Sequence, residues 1–197
     1  MPSNTDTVSQ FRESGYTVVP ALIAGELLNV AYWYASVKAD VGLFDLPNGD
    51  VQVPGAPGQY ADPLMEVMLA RCAPRISAAT GCELLPTYSY CRVLGAGSSL
   101  QRHTDRRECE LTASVCLGYE GPSPSPLYLQ GSSGGLRCVM YPGDALIYRG
   151  CDIAHWRAPW DGKRQAQVFF HYVDRRGPNG HLKYDRRRGL GLPPISA

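Results

Sequence analysis

The sequence predicts a mostly β domain with flanking helices, arranged as a sandwich or barrel with a helical layer on one side. A chain of 197 residues is long enough to bury a core of its own. Helical periodicity is confined to the first half, and from Thr87 onward short β-branched and aromatic runs alternate with turn clusters. Short strands at this spacing are typical of sandwiches and barrels. We therefore divide the single domain 1–197 into a helical N-terminal support (1–86), a β core (87–174) and a basic C-terminal tail (175–197).

Two helices are predicted in the first half. Apolar side chains recur every three or four residues across 26–38, which is the pattern of an amphipathic helix. A second helix is predicted over 63–80, because Asp62 can cap its first turn, a proline occupies the first helical position, and Gly81 can close its end. Pro74 is expected to interrupt or kink this second helix.

Six strands are predicted in the β core, and they span 88–94, 110–117, 127–129, 136–141, 144–148 and 165–173. A proline- and glycine-rich loop at 46–59 lies between the predicted helices. The last strand shows a clear alternation, in which Arg164 shares the apolar face with Val168 and Phe170. We therefore expect Arg164 to point into the barrel and Lys163 into solvent. The tail is expected to be solvated, with a lid or an acidic-partner contact as the alternative.

Composition argues against several function classes. Nineteen basic side chains against eighteen acidic ones give no sign of a general nucleic-acid-binding protein. No run approaches the roughly 18 apolar residues of a membrane-spanning helix, and residues 1–10 lack the apolar segment of a signal peptide. Seven cysteines without a C-x-x-C pair favour a reducing compartment over a disulfide framework or a zinc ribbon. We expect a cytoplasmic protein without nucleic-acid or membrane partners, and its oligomeric state stays open.

Three residues have the spacing of a metal site. His103 and Asp105 stand two residues apart, so on extended backbone their side chains point to the same face. His155 follows 50 residues later, beyond the strand at 144–148. Two imidazoles and one carboxylate on one side of an ion form the facial triad of non-haem Fe(II) oxygenases. The alternative is that both histidines are polar surface or capping residues.

Arg164 strengthens this interpretation, because it follows His155 by nine residues on the strand face expected to point inward. A guanidinium at a barrel mouth needs an anion, and a carboxylate matches its two parallel N–H donors best. That anion would be the distal carboxylate of a diacid whose other end binds the metal. An internal salt bridge to an aspartate or glutamate is the alternative.

Between residues 88 and 173 the chain resembles the Fe(II)- and 2-oxoglutarate-dependent dioxygenases, which carry such a triad followed by such an arginine. The segment 86–106 is similar to the first core strands of prolyl-hydroxylase-like members. The segment 143–156 is similar to the one that leads to their distal histidine, and 11–20 is similar to the opening of phytanoyl-type relatives. The combination is specific for the cofactor chemistry and not for the substrate.

The resemblance implies a double-stranded β-helix core, also called a jelly-roll or cupin-like fold. It implies that His103, Asp105 and His155 are the catalytic residues that bind Fe(II), and that Arg164 holds the distal carboxylate of 2-oxoglutarate. O2 would be the other cosubstrate, and ascorbate is a candidate stimulant. The implied reaction is hydroxylation of an unactivated C–H bond with decarboxylation of 2-oxoglutarate to succinate.

One position departs from the family pattern. Many relatives carry a tyrosine before the metal loop that hydrogen-bonds 2-oxoglutarate, and the matching position here is Val93. Tyr88 and Tyr90 have the opposite strand parity, so the second contact with the cosubstrate stays open.

The small size of the chain favours a small-molecule substrate, such as an amino acid or another metabolite. A peptidyl or protein residue, as in prolyl hydroxylases, is the alternative substrate, and a non-catalytic metal-binding jelly-roll sensor is the alternative function. Arg157, Arg106 and Trp156 are candidates for substrate binding. Arg157 is one of them because on extended backbone it shares the inward face of His155.

Overall fold

The computed structural model describes residues 4–131 and 134–192, which form two antiparallel sheets and a layer of helices. The last five residues of the predicted tail, 193–197, lie outside the described part. The helices are α1 (Asn4–Ser14), α2 (Gly25–Asp40) and α3 (Pro63–Thr80). The strands are β1 (Tyr16–Val19), β2 (Gly58–Tyr60), β3 (Leu84–Gly95), β4 (Leu100–His103), β5 (Leu111–Glu120), β6 (Leu127–Gly131), β7 (Gly134–Cys138), β8 (Ala145–Arg149), β9 (His155–Arg157) and β10 (Arg164–Asp174).

The strands divide into a large sheet and a small sheet. The large sheet has the order β1-β8-β5-β10-β3-β2, and the small sheet has the order β4-β9-β6-β7. In both, every pairing is antiparallel among the described residues. The predicted fold class, a mostly β jelly-roll with flanking helices, is confirmed.

Helix α3 begins and ends where the sequence predicts. The Asp62 carboxylate accepts hydrogen bonds from the backbone N–H groups of Leu64 (3.0 Å) and Met65 (3.2 Å). Gly81 closes the helix with a φ of 71°, in the left-handed region that glycine adopts without strain. Pro74 does not interrupt the helix, because its missing N–H removes one bond while the buried face of α3 stays packed against the large sheet.

The large sheet is buried on both faces, and the two faces differ in character. The face toward the helices is apolar and includes Ala166, Val168 and Phe170 of β10. The face toward the small sheet carries Gln165 and Gln167, which hydrogen-bond within the barrel, followed by Phe169 and His171. The prediction that the apolar face of β10 points into the barrel is therefore wrong. An alternation pattern identifies the apolar face of a strand, but it does not say which of two covering layers that face contacts.

The C-terminal segment packs against the body of the protein and is not a solvated tail. We call residues 180–187 the strap. Its Leu182 is buried beside Leu85 and Val173. The Arg187 side chain is fully buried and pairs with Glu66 of α3 at 3.0 Å. None of the helices in the described part of the chain combines the length and the apolar character needed to cross a membrane.

Candidate metal centre

His103, Asp105 and His155 come together at one end of the small sheet. Strands β4 and β9 are paired in a register that puts His103 directly opposite His155, and their rings lie 4.3 Å apart. Asp105 follows β4 by two residues, and its backbone N–H donates to the carbonyl of Gly150 at 2.8 Å. One ligand atom from each of the three side chains lies within 4.8 Å of the other two. The structure thus brings together the three residues that the spacing predicts.

The two imidazoles are oriented by their own backbone. The Nδ1 atom of His103 lies 2.9 Å from the carbonyl oxygen of Gln101, and that of His155 lies 3.0 Å from the carbonyl oxygen of Ile153. A carbonyl can only accept, so each Nδ1 carries a proton and each Nε2 is the ring nitrogen that faces the other two side chains. Both Nε2 atoms face Oδ1 of Asp105, at 3.6 and 3.5 Å. Three atoms that can bind a metal ion therefore converge.

The third ligand, Asp105, is held in its ionised form. Burial raises the pKa of this carboxyl, but the two neighbouring imidazoles lower it by more, so its pKa lies well below the usual range. The other carboxylate oxygen, Oδ2, accepts a hydrogen bond from Thr112 Oγ1 at 3.0 Å. One oxygen is thus fixed by the protein and the other faces the two imidazoles.

His171 lies behind Asp105, and the sequence analysis did not single it out. Its Nδ1 is 3.0 Å from Thr112 Oγ1, and its ring is 4.5 Å from the ring of Tyr88. Burial lowers the pKa of His171 to about 4, so the ring is neutral at physiological pH. The available signal was that one of only four histidines falls on the last strand, and the inverted face assignment of β10 concealed it.

A cavity of about 460 Å³ opens in front of the triad, which is a typical size for a small-molecule site. Its walls include five tyrosine and phenylalanine side chains and two arginines with carboxylate partners. The lining side chains include Tyr60, Tyr88, Tyr90, Tyr148, Phe169, Arg92 and Arg106. Tyr88 and Tyr90 thus face the site, whereas Val93 belongs to the core beside the helices. A side chain at position 93 therefore does not reach the cavity, whereas those of Tyr88 and Tyr90 do.

The strap contacts two residues of the cavity wall, Tyr60 and Arg106. Asp185 receives a two-pronged contact from Arg106, with N–O distances of 2.7 and 3.2 Å, and a hydrogen bond from Tyr60 at 2.5 Å. The backbone of Tyr184, Asp185 and Arg186 has φ values of 60°, 53° and 61°, which non-glycine residues rarely adopt. Arg106 therefore lies at the site, as predicted for a substrate-binding candidate, with its guanidinium paired to the strap.

Arg164 is not in the cavity. It lies on the helix side of β10, where its Nη1 and Nη2 atoms donate to the Asp40 carboxylate at the end of α2, at 2.9 and 2.5 Å. The alternative of an internal salt bridge therefore holds, and the expected inward position of Arg164 is wrong. Gln165 occupies the inward position instead, and its Oε1 accepts a hydrogen bond from the backbone N–H of Ser125 at 2.7 Å.

Arg157 and Trp156 lie on opposite faces of β9. Trp156 stacks on Tyr128 with ring centroids 5.6 Å apart, on the outer side of the small sheet. It does not line the cavity, contrary to its prediction as a substrate-binding residue. Arg157 is buried inside the barrel and donates to the carbonyl of Ser125. Burial lowers the pKa of Arg157 to about 10, so it is protonated at neutral pH.

Comparison with known proteins identifies the fold and not a close relative. No family model and no curated protein matches the chain. Among solved structures, a Pseudomonas putida prolyl-4-hydroxylase superposes with a TM-score of 0.69 at 15% identity, covering 89% of this chain and 100% of that one. A Trichoplax adhaerens prolyl hydroxylase, solved with a hypoxia-inducible-factor peptide fragment, gives 0.71 at 15% identity over 87% of this chain and 89% of that one.

The α-ketoglutarate-dependent epimerase SnoN of nogalamycin biosynthesis has a TM-score of 0.70 at 15% identity, covering 98% of this chain and 92% of that one. The similar structures thus include enzymes that act on peptides and enzymes that act on small molecules, and they share one architecture. The chain has the jelly-roll fold of the 2-oxoglutarate- and Fe(II)-dependent oxygenases.

Proposed function

We propose that this protein is an Fe(II)- and 2-oxoglutarate-dependent oxygenase that hydroxylates an unactivated C–H bond of a small molecule. The observation that carries the proposal is the convergence of His103 Nε2, His155 Nε2 and Asp105 Oδ1. The second polar atom of each side chain, Nδ1 of the histidines and Oδ2 of Asp105, is hydrogen-bonded within the protein. A facial set of two imidazoles and one carboxylate suits Fe(II) and leaves coordination positions open. The fold, which similar oxygenases share, supports the same assignment.

The donor chemistry of the site fits a divalent iron. Two imidazole nitrogens and an ionised carboxylate are ligands that divalent iron accepts. Each of the three side chains is hydrogen-bonded to a neighbouring group: the histidines to the carbonyls of Gln101 and Ile153, and Asp105 to the hydroxyl of Thr112. Such hydrogen bonds orient the ligands in metal sites. Bound Fe(II) would supply oxygen activation, coupled to the conversion of 2-oxoglutarate to succinate and carbon dioxide.

The remaining residues of the cavity would bind and orient the substrate. Tyr60, Tyr88 and Phe169 give the walls a largely apolar aromatic surface, which excludes water from the side of the cavity next to the triad. Arg106 is stacked on Tyr88 at 4.6 Å and stays partly exposed at the mouth, where it can contact a polar group of the substrate.

The cavity volume of about 460 Å³ favours a small molecule over a long peptide. Two of the lining residues, Tyr60 and Arg106, are held by Asp185 of the strap. A peptidyl hydroxylase is the second candidate, because two of the similar structures are prolyl hydroxylases. A non-catalytic sensor would keep the metal site but show no turnover.

We also propose that 1–197 acts as one domain in the cytoplasm, where the seven cysteines, all free in the structure, would stay reduced.

The test is succinate formation from 2-oxoglutarate in the presence of Fe(II) and ascorbate, measured with a panel of free amino acids, other metabolites and short proline-containing peptides. We expect substrate-stimulated succinate formation from a member of the small-molecule set and none with His155→Ala. Stimulation by peptides alone would replace the small-molecule assignment with the peptidyl one. No succinate with any compound, together with unaltered metal binding, would contradict the enzyme assignment and favour a sensor.

A further inference from the structure

We propose that Arg157, on the strand of the distal histidine, binds the distal carboxylate of 2-oxoglutarate. This inference rests on the proposed function and names the residue that gives the site its preference for a diacid. The position differs from the one that the sequence predicts, which is Arg164 at the start of the following strand. The assignment comes from the surroundings of four arginines: Arg92 and Arg106, which line the cavity, Arg157, which is buried in the barrel, and Arg164, which the sequence predicts there.

Arg157 is the buried cation of the barrel that has no carboxylate partner. Its exposed fraction is 4%, and its Nη2 atom is buried without a hydrogen-bond partner in the described structure. Its Nη1 atom donates to the carbonyl of Ser125, which carries no net charge. A buried charge without a counter-ion is costly, so the site is complete only when an anion occupies it.

The other three arginines already have carboxylate partners. Arg92 on β3 pairs with Asp50, Arg106 pairs with Asp185, and Arg164 outside the barrel pairs with Asp40. No salt bridge of Arg157 exists within residues 4–131 and 134–192. A diacid that enters the barrel would therefore meet one uncompensated guanidinium.

The location of Arg157 suits a ligand that also reaches the metal. It stands two residues after His155, so the two side chains leave the same face of β9 with backbone origins roughly 6–7 Å apart. Leu100, which lines the cavity, is directly opposite Arg157 in the pairing of β4 with β9, so the two side chains leave the same face of the small sheet and Arg157 lies next to the cavity wall. A five-carbon diacid chelated through its 2-oxo acid end can extend along this face toward Arg157.

A buried polar network holds Arg157 in position. Ser125, whose carbonyl accepts from Arg157, donates its backbone N–H to Gln165 Oε1 at 2.7 Å. Gln165 in turn donates to Gln167 at 2.8 Å, and Gln167 donates to Ser114 at 2.8 Å. The inward positions of β10 thus contribute neutral amides that support the segment around Ser125, while the cation comes from β9.

The experiment measures the binding of two 2-oxo acids to the Mn(II)-loaded protein by calorimetry. 2-Oxoglutarate has the distal carboxylate, and 2-oxobutyrate has the same chelating end without it. We expect Arg157→Ala to weaken 2-oxoglutarate binding at least about a hundredfold, with 2-oxobutyrate and Mn(II) binding unchanged. Arg164→Ala is the matched control and should leave all three affinities within about twofold, because its partner Asp40 is outside the cavity.

Arg157→Lys distinguishes loss of the carboxylate contact from a folding defect in the alanine variant. It keeps the buried charge but loses the two-pronged fork, so we expect an intermediate preference for 2-oxoglutarate over 2-oxobutyrate. An unchanged preference in both Arg157 variants, or its collapse in Arg164→Ala, would overturn the assignment of Arg157. A wild-type protein that binds neither acid would contradict the proposed function instead.

Discussion

The carboxylate of Asp105 is confined between Thr112 and the backbone at Gly150. A methyl group at position 150 would lie 2.4 Å from Asp105 Oδ2 and 2.4 Å from the carbonyl oxygen of Cys109. Neither neighbour is the flexible end of a long side chain, so the contact cannot be relieved without moving the ligand. Glycine at 150 is therefore required for the position of the carboxylate.

We expect Gly150→Ala to reduce Mn(II) affinity at least about tenfold, since displaced carboxylates cost metal sites this much or more. Titration of the metal-free protein with Mn(II), followed by calorimetry, measures the effect. Gly95→Ala is the control, because a methyl group there would come no closer than 4.0 Å to another atom. Equal affinities in the two variants would contradict the role assigned to Gly150.

Thr112 links the metal ligand to His171. Its hydroxyl lies 3.0 Å from Asp105 Oδ2 and 3.0 Å from His171 Nδ1. Thr112→Val keeps the shape and removes both contacts, so we expect metal affinity to fall about 10- to 100-fold. Thr112→Ser keeps the hydroxyl and should retain most of the affinity. Loss of the same size in both variants would indicate a packing effect and not the hydrogen bond.

At the scale of elements, strand β10 shows why part of the site was not predictable. Polar and apolar residues alternate as the sequence predicts, and the two faces separate as Gln165, Gln167 and His171 against Val168 and Phe170. An apolar strand face points into a barrel only where the barrel interior is the hydrophobic core. Here the helices cover one face of the sheet and a polar functional interior covers the other, so the assignment of Arg164 was inverted.

The strap depends on one buried ion pair. Arg187 is bonded to Glu66, to the carbonyl of Thr87 and to the carbonyl of Tyr184. These contacts hold the strap in a backbone conformation that is unfavourable for three consecutive residues, 184–186.

We expect Arg187→Ala to lower the free energy of unfolding by about 3 kcal/mol or more, because it leaves the Glu66 carboxylate buried without its cation. Urea unfolding measures this change. Arg188→Ala, at the exposed neighbouring position, should change stability by less than about 0.5 kcal/mol. Similar stabilities for the two variants would show that the strap does not depend on the pair.

For the whole molecule, the sequence predicts the fold class and the triad. It does not predict the elements whose residues show no local hydrophobic periodicity. His103, Asp105 and His155 were found because two-residue spacing on a strand is a local property. Strands β4 and β9 were missed because they are short, and each is defined by its partner. The counter-ions of Arg92, Arg106 and Arg187 come from distant parts of the chain, which no single segment reveals.

The apolar clusters of the fold are built without the triad, so the protein should stay folded when metal is removed. We expect a chelator to leave the far-ultraviolet circular dichroism unchanged. Mn(II) and 2-oxoglutarate, each at about a hundredfold over its dissociation constant, should together raise the melting temperature by roughly 10–20 °C, from the linkage of binding to folding. An unfolded metal-free protein would contradict this account of the core.

We propose that His103, Asp105 and His155 would hold one Fe(II) to which 2-oxoglutarate binds as a chelate, and anaerobic absorption spectroscopy measures this complex. A 2-oxo acid chelated to Fe(II) gives a visible charge-transfer band that neither component has alone. We predict that this band grows with added 2-oxoglutarate, saturates at one iron and one cosubstrate per chain, and is absent in His155→Ala. A wild-type protein that binds iron without developing the band, or a band of equal strength in His155→Ala, would contradict the account.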